Sequence, residues 1–131
     1  MNKKNIKKLI EKIKTVRYTS NAEGAKSGFN MEAYRHDCGT PSCMAGWASF
    51  ISDPVAYKTT PRINEWDENM DIKRAVDWLD MPENELDILF HPNIPEDMDW
   101  NLIKPKHAIA ALEIVLKEKK VSKDIWARVF A

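Results

Sequence analysis

Apolar residues recur along most of this chain at the spacing of an α-helix. In residues 3–17, Ile6, Leu9, Ile10 and Ile13 fall on one face and lysines fill the opposite one. Similar periodicity, with proline, serine and glycine at the boundaries, predicts further helices at about 40–52, 69–79, 82–90, 105–120 and after Ser122. The pattern therefore predicts an all-α fold, a compact bundle of five or six short helices around a buried central helix at about 40–52.

Two stretches interrupt the helical pattern. Residues 19–37 are rich in turn-forming residues, and we expect Phe29, Met31 and Tyr34 to attach this loop to the core. Residues 54–63 alternate loosely between two prolines, which favours one tiny β-hairpin near 55–63. Elsewhere the low glycine content, four of 131 residues, favours helices, because the tight turns of β-structure require glycine.

The central helix is apolar on nearly every face, and such a helix is buried. Thr40 is placed to cap it and Pro41 to open it, while three serines form one narrow stripe, Ser42, Ser49 and Ser52. Gly46 in mid-helix costs about 1 kcal/mol relative to alanine. We therefore expect another backbone segment to approach closely at Gly46.

A family resemblance rests on the string Cys38-Gly39-Thr40-x-x-Cys43-x-Ala45-Gly46-Trp47-Ala48, preceded by Phe29-x-Met31. This string resembles a recurring pattern in uncharacterised small proteins of bacteria and their phages. The chain departs from the pattern at Met44, where an aliphatic residue is usual, and at Lys104, where a Ser or Thr cap is usual. The resemblance implies a shared fold, and it implies no activity.

The same segment holds a tentative ligand or thiol site at His36, Cys38 and Cys43. These three side chains could bind zinc, with His91 or His107 as a fourth ligand, although no second Cys or His pair is present. Alternatively, Cys43 in the first turn of a helix could be a nucleophile, because the helix dipole lowers the pKa of a thiol. The third alternative, which we favour, is that the cysteines pack in the core as small apolar residues.

Length and hydropathy restrict the class of protein. The 131 residues suffice for a single helical domain, 1–131. No run of 18 apolar residues is present, and lysines interrupt the basic start before any signal-peptide core, so we expect a cytoplasmic protein without a membrane span. In that reducing compartment both cysteines should be free thiols, and no motif indicates a cofactor.

Charge is zero overall but unevenly distributed. Residues 1–30 carry a net charge of +6, residues 64–100 carry −10 and residues 101–131 carry +4. The basic ends either pack beside the acidic middle or form separate binding surfaces. Candidate nucleic-acid contacts lie at both ends of the chain: Lys4, Lys8, Lys119, Lys120, Lys123 and Arg128.

We therefore expect, first, a non-enzymatic protein-interaction protein of phage or mobile-element type that acts through a protein partner. The alternatives are a nucleic-acid-binding protein that uses the lysine-rich first and last helices, and a zinc- or thiol-site protein centred on residues 36–43. A salt-dependent gel shift distinguishes the second function, and elemental analysis with thiol titration distinguishes the third.

Overall fold

The computed structural model describes residues 1–20, 26–36, 40–59, 65–94 and 98–131. Within these ranges the chain forms seven α-helices and one 3₁₀ turn at Trp100–Leu102. The helices are α1 (Lys3–Lys14), α2 (Met44–Ser52), α3 (Pro54–Thr59), α4 (Glu65–Leu79), α5 (Glu83–Phe90), α6 (Pro105–Glu118) and α7 (Ile125–Val129). The all-α prediction is confirmed, because the described residues contain only two isolated β-bridges and no sheet.

The expected burial of α2 on nearly every face holds for one side of the helix only. Trp47, Phe50, Ile51 and Ser52 are half-buried, and the remaining residues of the helix are buried. Helix α2 packs chiefly against α4 and also contacts α1 and α3, while α1 packs along α6. Helix α7 closes the bundle against α5 and α6, and the buried Trp126 indole N–H donates to the Ile88 and Leu89 carbonyls at 3.1 and 3.2 Å. Phe29 and Met31 are buried and Tyr34 is half-buried, so the predicted attachment of this loop to the core is confirmed.

The central helix begins later than predicted. Thr40 and Pro41 precede it, and Cys43 is its N-cap residue. The loop before the helix uses these backbone groups instead: Ser42 N–H donates to the Tyr34 carbonyl at 3.0 Å, and the Thr40 carbonyl accepts from His36 N–H at 2.8 Å. The expected start at Thr40-Pro41 was therefore wrong, because pairing with the 33–36 strand-like segment replaces the first helical turn.

The predicted close approach at Gly46 is confirmed. A Cβ atom built on Gly46 would lie 2.0 Å from the carbonyl oxygen of Tyr34. The loop at residues 33–36 thus lies directly against the backbone of α2, in a space that only glycine leaves open.

The predicted hairpin near 55–63 was wrong for residues 54–59, which form α3. Proline is tolerated in the first helical turn, and the Asp53 carboxylate caps the helix by accepting from Ala56 N–H at 3.0 Å. The rest of the predicted hairpin, 60–63, lies outside the described residues. Ser122 does not cap α7 with its side chain; its carbonyl accepts from Ile125 N–H at 3.2 Å instead.

In the part of the chain that the structure describes, no helix combines the length and the apolar character needed to cross a membrane.

Candidate functional site

Helix α1 presents a dense row of lysines on one side. Its apolar residues face the bundle, and the Asn2 side chain caps its start by accepting from Asn5 N–H at 3.0 Å. Since 3.6 residues make a turn, burying one face leaves the opposite face to solvent. Five lysines of this helix are exposed, Lys3, Lys4, Lys7, Lys8 and Lys14.

A groove runs beside this lysine face. It has a volume of about 800 Å³ and is lined by Lys4, Lys7, Lys8, Glu11, Lys12, Thr15 and, from α2, Ile51. The lysine alkyl stems and Ile51 provide most of its surface, because long cationic side chains lay their stems along apolar surface and keep the ammonium group in water. We call this feature the lysine groove.

Most of the positive charge in the lysine groove is uncompensated within the described residues. Lys14 pairs with Glu11 at 3.0 Å, whereas Lys4, Lys7 and Lys8 take part in no ion pair there. Lys12 lies over the Trp47 ring, 5.4 Å from its centroid. The groove therefore has the potential of a cationic site with an apolar floor.

The predicted nucleic-acid contacts divide into two groups. Lys4 and Lys8 both line the lysine groove, and none of the four C-terminal residues does. Lys119, at the C-cap of α6 with a φ of 62°, Lys120 and Lys123 are exposed. Arg128 is paired with Glu118.

Arg128 is held by an acidic residue of α6. Its guanidinium forms a two-pronged ion pair with Glu118, one prong at 2.9 Å, and contacts Ser122 Oγ at 3.3 Å. Hydrogen bonding to Arg128 lowers the pKa of the Glu118 carboxyl, and the same bond raises the pKa of Arg128. The fork that would read a base or phosphate is thus occupied by a carboxylate.

The tentative ligand or thiol site does not assemble among the described residues. His36 is buried and its Nε2 lies 2.7 Å from the Gly28 carbonyl, so this nitrogen is a donor and not a free ligand atom. Cys38 lies outside the described residues. In the ranges that the structure describes, no three His, Cys, Asp or Glu side chains converge as metal ligands.

Cys43 is a buried free thiol. Burial raises the pKa of this thiol from 9.0 to about 12, although the Gly46 and Ala45 backbone N–H groups act in the opposite direction. This pKa counts against the alternative of a nucleophilic Cys43, because loss of hydration outweighs the backbone N–H groups that lower the pKa. A thiol that stays protonated at neutral pH is a poor nucleophile, and its environment is that of a core residue.

Sequence reasoning missed a buried ion pair. Arg35 Nε and Nη2 donate to the two oxygens of Asp71, each at 2.8 Å, and both side chains are buried. Ser49 Oγ donates to Asp71 Oδ1 at 2.8 Å, and the Arg35 guanidinium lies 3.7 Å from the centroid of the Tyr57 ring. The only signal in the sequence was the serine stripe of the central helix, which includes Ser49.

This cluster joins the loop before α2 to α2, α3 and α4, because Arg35 also donates to the Tyr57 carbonyl at 3.2 Å. Asp71 and Arg35 are both buried, so the cluster has no opening to solvent at either side chain. It holds elements in register and presents no group to a substrate.

No protein-family model, no curated protein and no solved structure matches the chain.

Proposed function

We propose that this protein is a non-enzymatic binding protein that holds an acidic, amphipathic segment of a partner protein in the lysine groove. The single observation that carries the proposal is the groove itself, in which unpaired lysines surround an apolar floor. Carboxylates of the partner would meet the ammonium groups, and its apolar side chains would lie on the lysine stems and Ile51.

The spacing of the lysines favours a helical partner. Lys4, Lys8 and Lys12 follow each other at four-residue intervals, so they form one row about 12 Å long at 1.5 Å rise per residue. An amphipathic helix with acidic residues at the same interval matches this row. Complementary charge of this kind guides association and sets specificity more than it sets affinity.

A protein segment suits the groove better than a nucleic-acid backbone. Ile51 offers an apolar contact that an amphipathic peptide uses and a phosphate backbone does not. The C-terminal lysines do not extend the groove, and Arg128 is paired with Glu118. Nucleic-acid binding is therefore an outcome that the experiment below must exclude.

The resemblance, which is most specific at residues 38–48, implies a shared fold and no activity. Its described residues are used structurally: Gly46 admits the loop, Cys43 packs in the core and the Ser42 hydroxyl donates to the Asn30 carbonyl at 2.7 Å.

The test measures binding of three labelled probes by fluorescence anisotropy: a helical peptide with glutamates and leucines at four-residue spacing, the same peptide with glutamine for glutamate, and a DNA duplex. We expect the glutamate peptide to bind best and to weaken with added salt. The double variant Lys4→Glu/Lys8→Glu should weaken it by about tenfold or more, since each exposed ion pair contributes up to about 1 kcal/mol and reversal adds repulsion.

The matched control is Lys117→Glu/Lys123→Glu, which makes the same change of charge at two exposed lysines outside the groove. It should weaken the glutamate peptide by less than about twofold, through long-range charge alone. Equal losses for both double variants, equal binding of the glutamine peptide, or tight binding of DNA alone would each overturn the proposal.

A further inference from the structure

A second, smaller cavity lies between the loop before α2, the end of α5 and the 3₁₀ turn. Its volume is about 120 Å³. The buried side chains of Met31 and Phe90 form its floor, and the rings of Tyr34, His91 and Trp100 form its walls. This cavity takes no part in the lysine groove, because the two share no lining residue.

Hydrogen bonds hold the three rings in place. The Trp100 indole N–H donates to the Pro92 carbonyl at 2.9 Å, and Tyr34 Oη lies 2.7 Å from His91 Nε2. The Tyr34 and His91 rings are perpendicular with centroids 6.1 Å apart, and the His91 and Trp100 centroids are 6.0 Å apart. A ligand would thus enter a site that is already formed, which reduces the entropy lost on binding.

The charge around this cavity is negative. Glu32 lines it and also lines an adjoining polar groove, together with Asp99 and Trp100. Asp87 lies 3.8 Å from His91 Nδ1. No lysine or arginine lines the cavity or the adjoining groove among the described residues.

We propose that this cavity binds a small organic cation, a methylated ammonium group. Aromatic faces attract such cations electrostatically, and a nearby carboxylate adds to the attraction. At roughly 30 Å³ for each water-sized group, the cavity accepts about four, which is the size of a trimethylammonium head. A metal ion would need several oxygen ligands, whereas the lining offers one carboxylate, that of Glu32.

The cation could come from a free metabolite or from a methylated lysine side chain, and the adjoining groove would hold the remainder of either. Two probes distinguish these sources: choline, and the blocked amino acid N-acetyl-trimethyllysine amide. The control ligand is 3,3-dimethylbutan-1-ol, which has the shape of choline without its charge. Binding is followed by the NMR signal of the Trp100 indole N–H.

We expect choline or the trimethyllysine probe to shift that signal with a Kd of about 1–10 mM, and the uncharged alcohol to bind about tenfold more weakly. Whichever cation binds more tightly identifies the source. Equal shifts with the alcohol, or no shift with either cation, would overturn the proposal.

Variants at two lining residues, Glu32 and Trp100, locate the site. Glu32→Gln, at an exposed position, should weaken cation binding severalfold, whereas Asp77→Asn, an equal charge change on an exposed residue of α4 outside the cavity, should leave it unchanged. Trp100→Leu should abolish binding, and Trp100→Phe, which keeps a ring, should restore part of it; both variants lack the indole, so their binding is followed by the backbone amide signal of Glu32, which also lines the cavity. Identical affinities for the Glu32 and Asp77 variants would refute the assignment. The groove variant Lys4→Glu/Lys8→Glu should not affect cation binding, so this proposal and the proposed function fail separately.

Discussion

Replacing Gly46 with alanine tests whether the loop before α2 lies against the helix as described. The added Cβ would lie 2.0 Å from the Tyr34 carbonyl oxygen and 3.1 Å from its carbonyl carbon. Ordinary contacts begin at 3.4 Å, so the loop or the helix would have to move by more than about 1 Å. Both atoms belong to the backbone, and neither can turn away as a side chain would.

The expected cost follows from three contributions. Overpacking a filled site costs about 1–3 kcal/mol. The Tyr34 carbonyl accepts from Ser42 N–H at 3.0 Å, and breaking this hydrogen bond costs a further ~1–3 kcal/mol. Alanine recovers about 1 kcal/mol of helix propensity. The net loss should be about 3 kcal/mol, opposite in sign to what helix propensity alone predicts.

The assay is urea unfolding followed by tryptophan fluorescence and by circular dichroism. The control is Ala110→Gly in α6, which changes helix propensity in the other direction and should cost about 1 kcal/mol. If Gly46→Ala were as stable as the parent protein or more stable, the close contact with Tyr34 would not exist in solution.

Three further predictions concern buried or titrating groups. Asp71→Asn should lower the free energy of unfolding by about 3–5 kcal/mol, because it leaves Arg35 buried without its counter-ion. The double variant Arg35→Met/Asp71→Leu should recover most of that loss, and equal stability of Asp71→Asn and the parent protein would refute the prediction. The pKa of Cys43 is about 12 in the folded state, so above pH 9.0 the unfolded state loses this proton first. The free energy of unfolding should then fall by about 1.4 kcal/mol per pH unit. This decline should be smaller in Cys43→Ala, and an unchanged slope would contradict the burial of the thiol. Burial and the neighbouring charges of Lys106 and Lys104 lower the pKa of His107, so the unfolded state binds this proton first and the free energy of unfolding should fall as the pH drops through 6.5. Urea midpoints at neutral and mildly acidic pH measure this fall in the parent protein and in His107→Gln. An equal fall in both proteins would contradict the prediction.

The helices were predictable where an apolar face repeats over several turns. Both α1 and α6 were placed within a few residues, because each buries one face along its length. The start of α2 was not, because Thr40 and Pro41 are typical of a helix start in any context. Only the pairing of 40–43 with 33–36, which is a tertiary contact, removes that turn from the helix.

The start of α6 uses a histidine side chain in place of a common capping residue. Lys104 stands at the N-cap of α6, where Ser, Thr, Asp and Asn are the residues generally preferred, and His107 Nδ1 accepts from Lys104 N–H at 2.9 Å. The predicted hairpin failed because the Asp53 cap decides the conformation of 54–59, whereas loose alternation of apolar residues is a weak signal over so short a segment.

The two proposed sites differ in how visible they are in the sequence. The lysine face of α1 follows from periodicity, and Lys4 and Lys8 were named from it. The role of Ile51 required the packing of α2 against α1. Tyr34, His91 and Trp100 are 57 and 9 residues apart, so nothing in the sequence places their rings around one cavity.

The most direct test of the lysine groove is chemical-shift mapping of the ¹⁵N-labelled protein with the glutamate peptide. We predict that the largest shifts fall on the backbone amides of α1 and around Ile51, and that they disappear in Lys4→Glu/Lys8→Glu. Shifts centred on Lys119, Lys120 and Lys123, or shifts that persist in that double variant, would contradict the account.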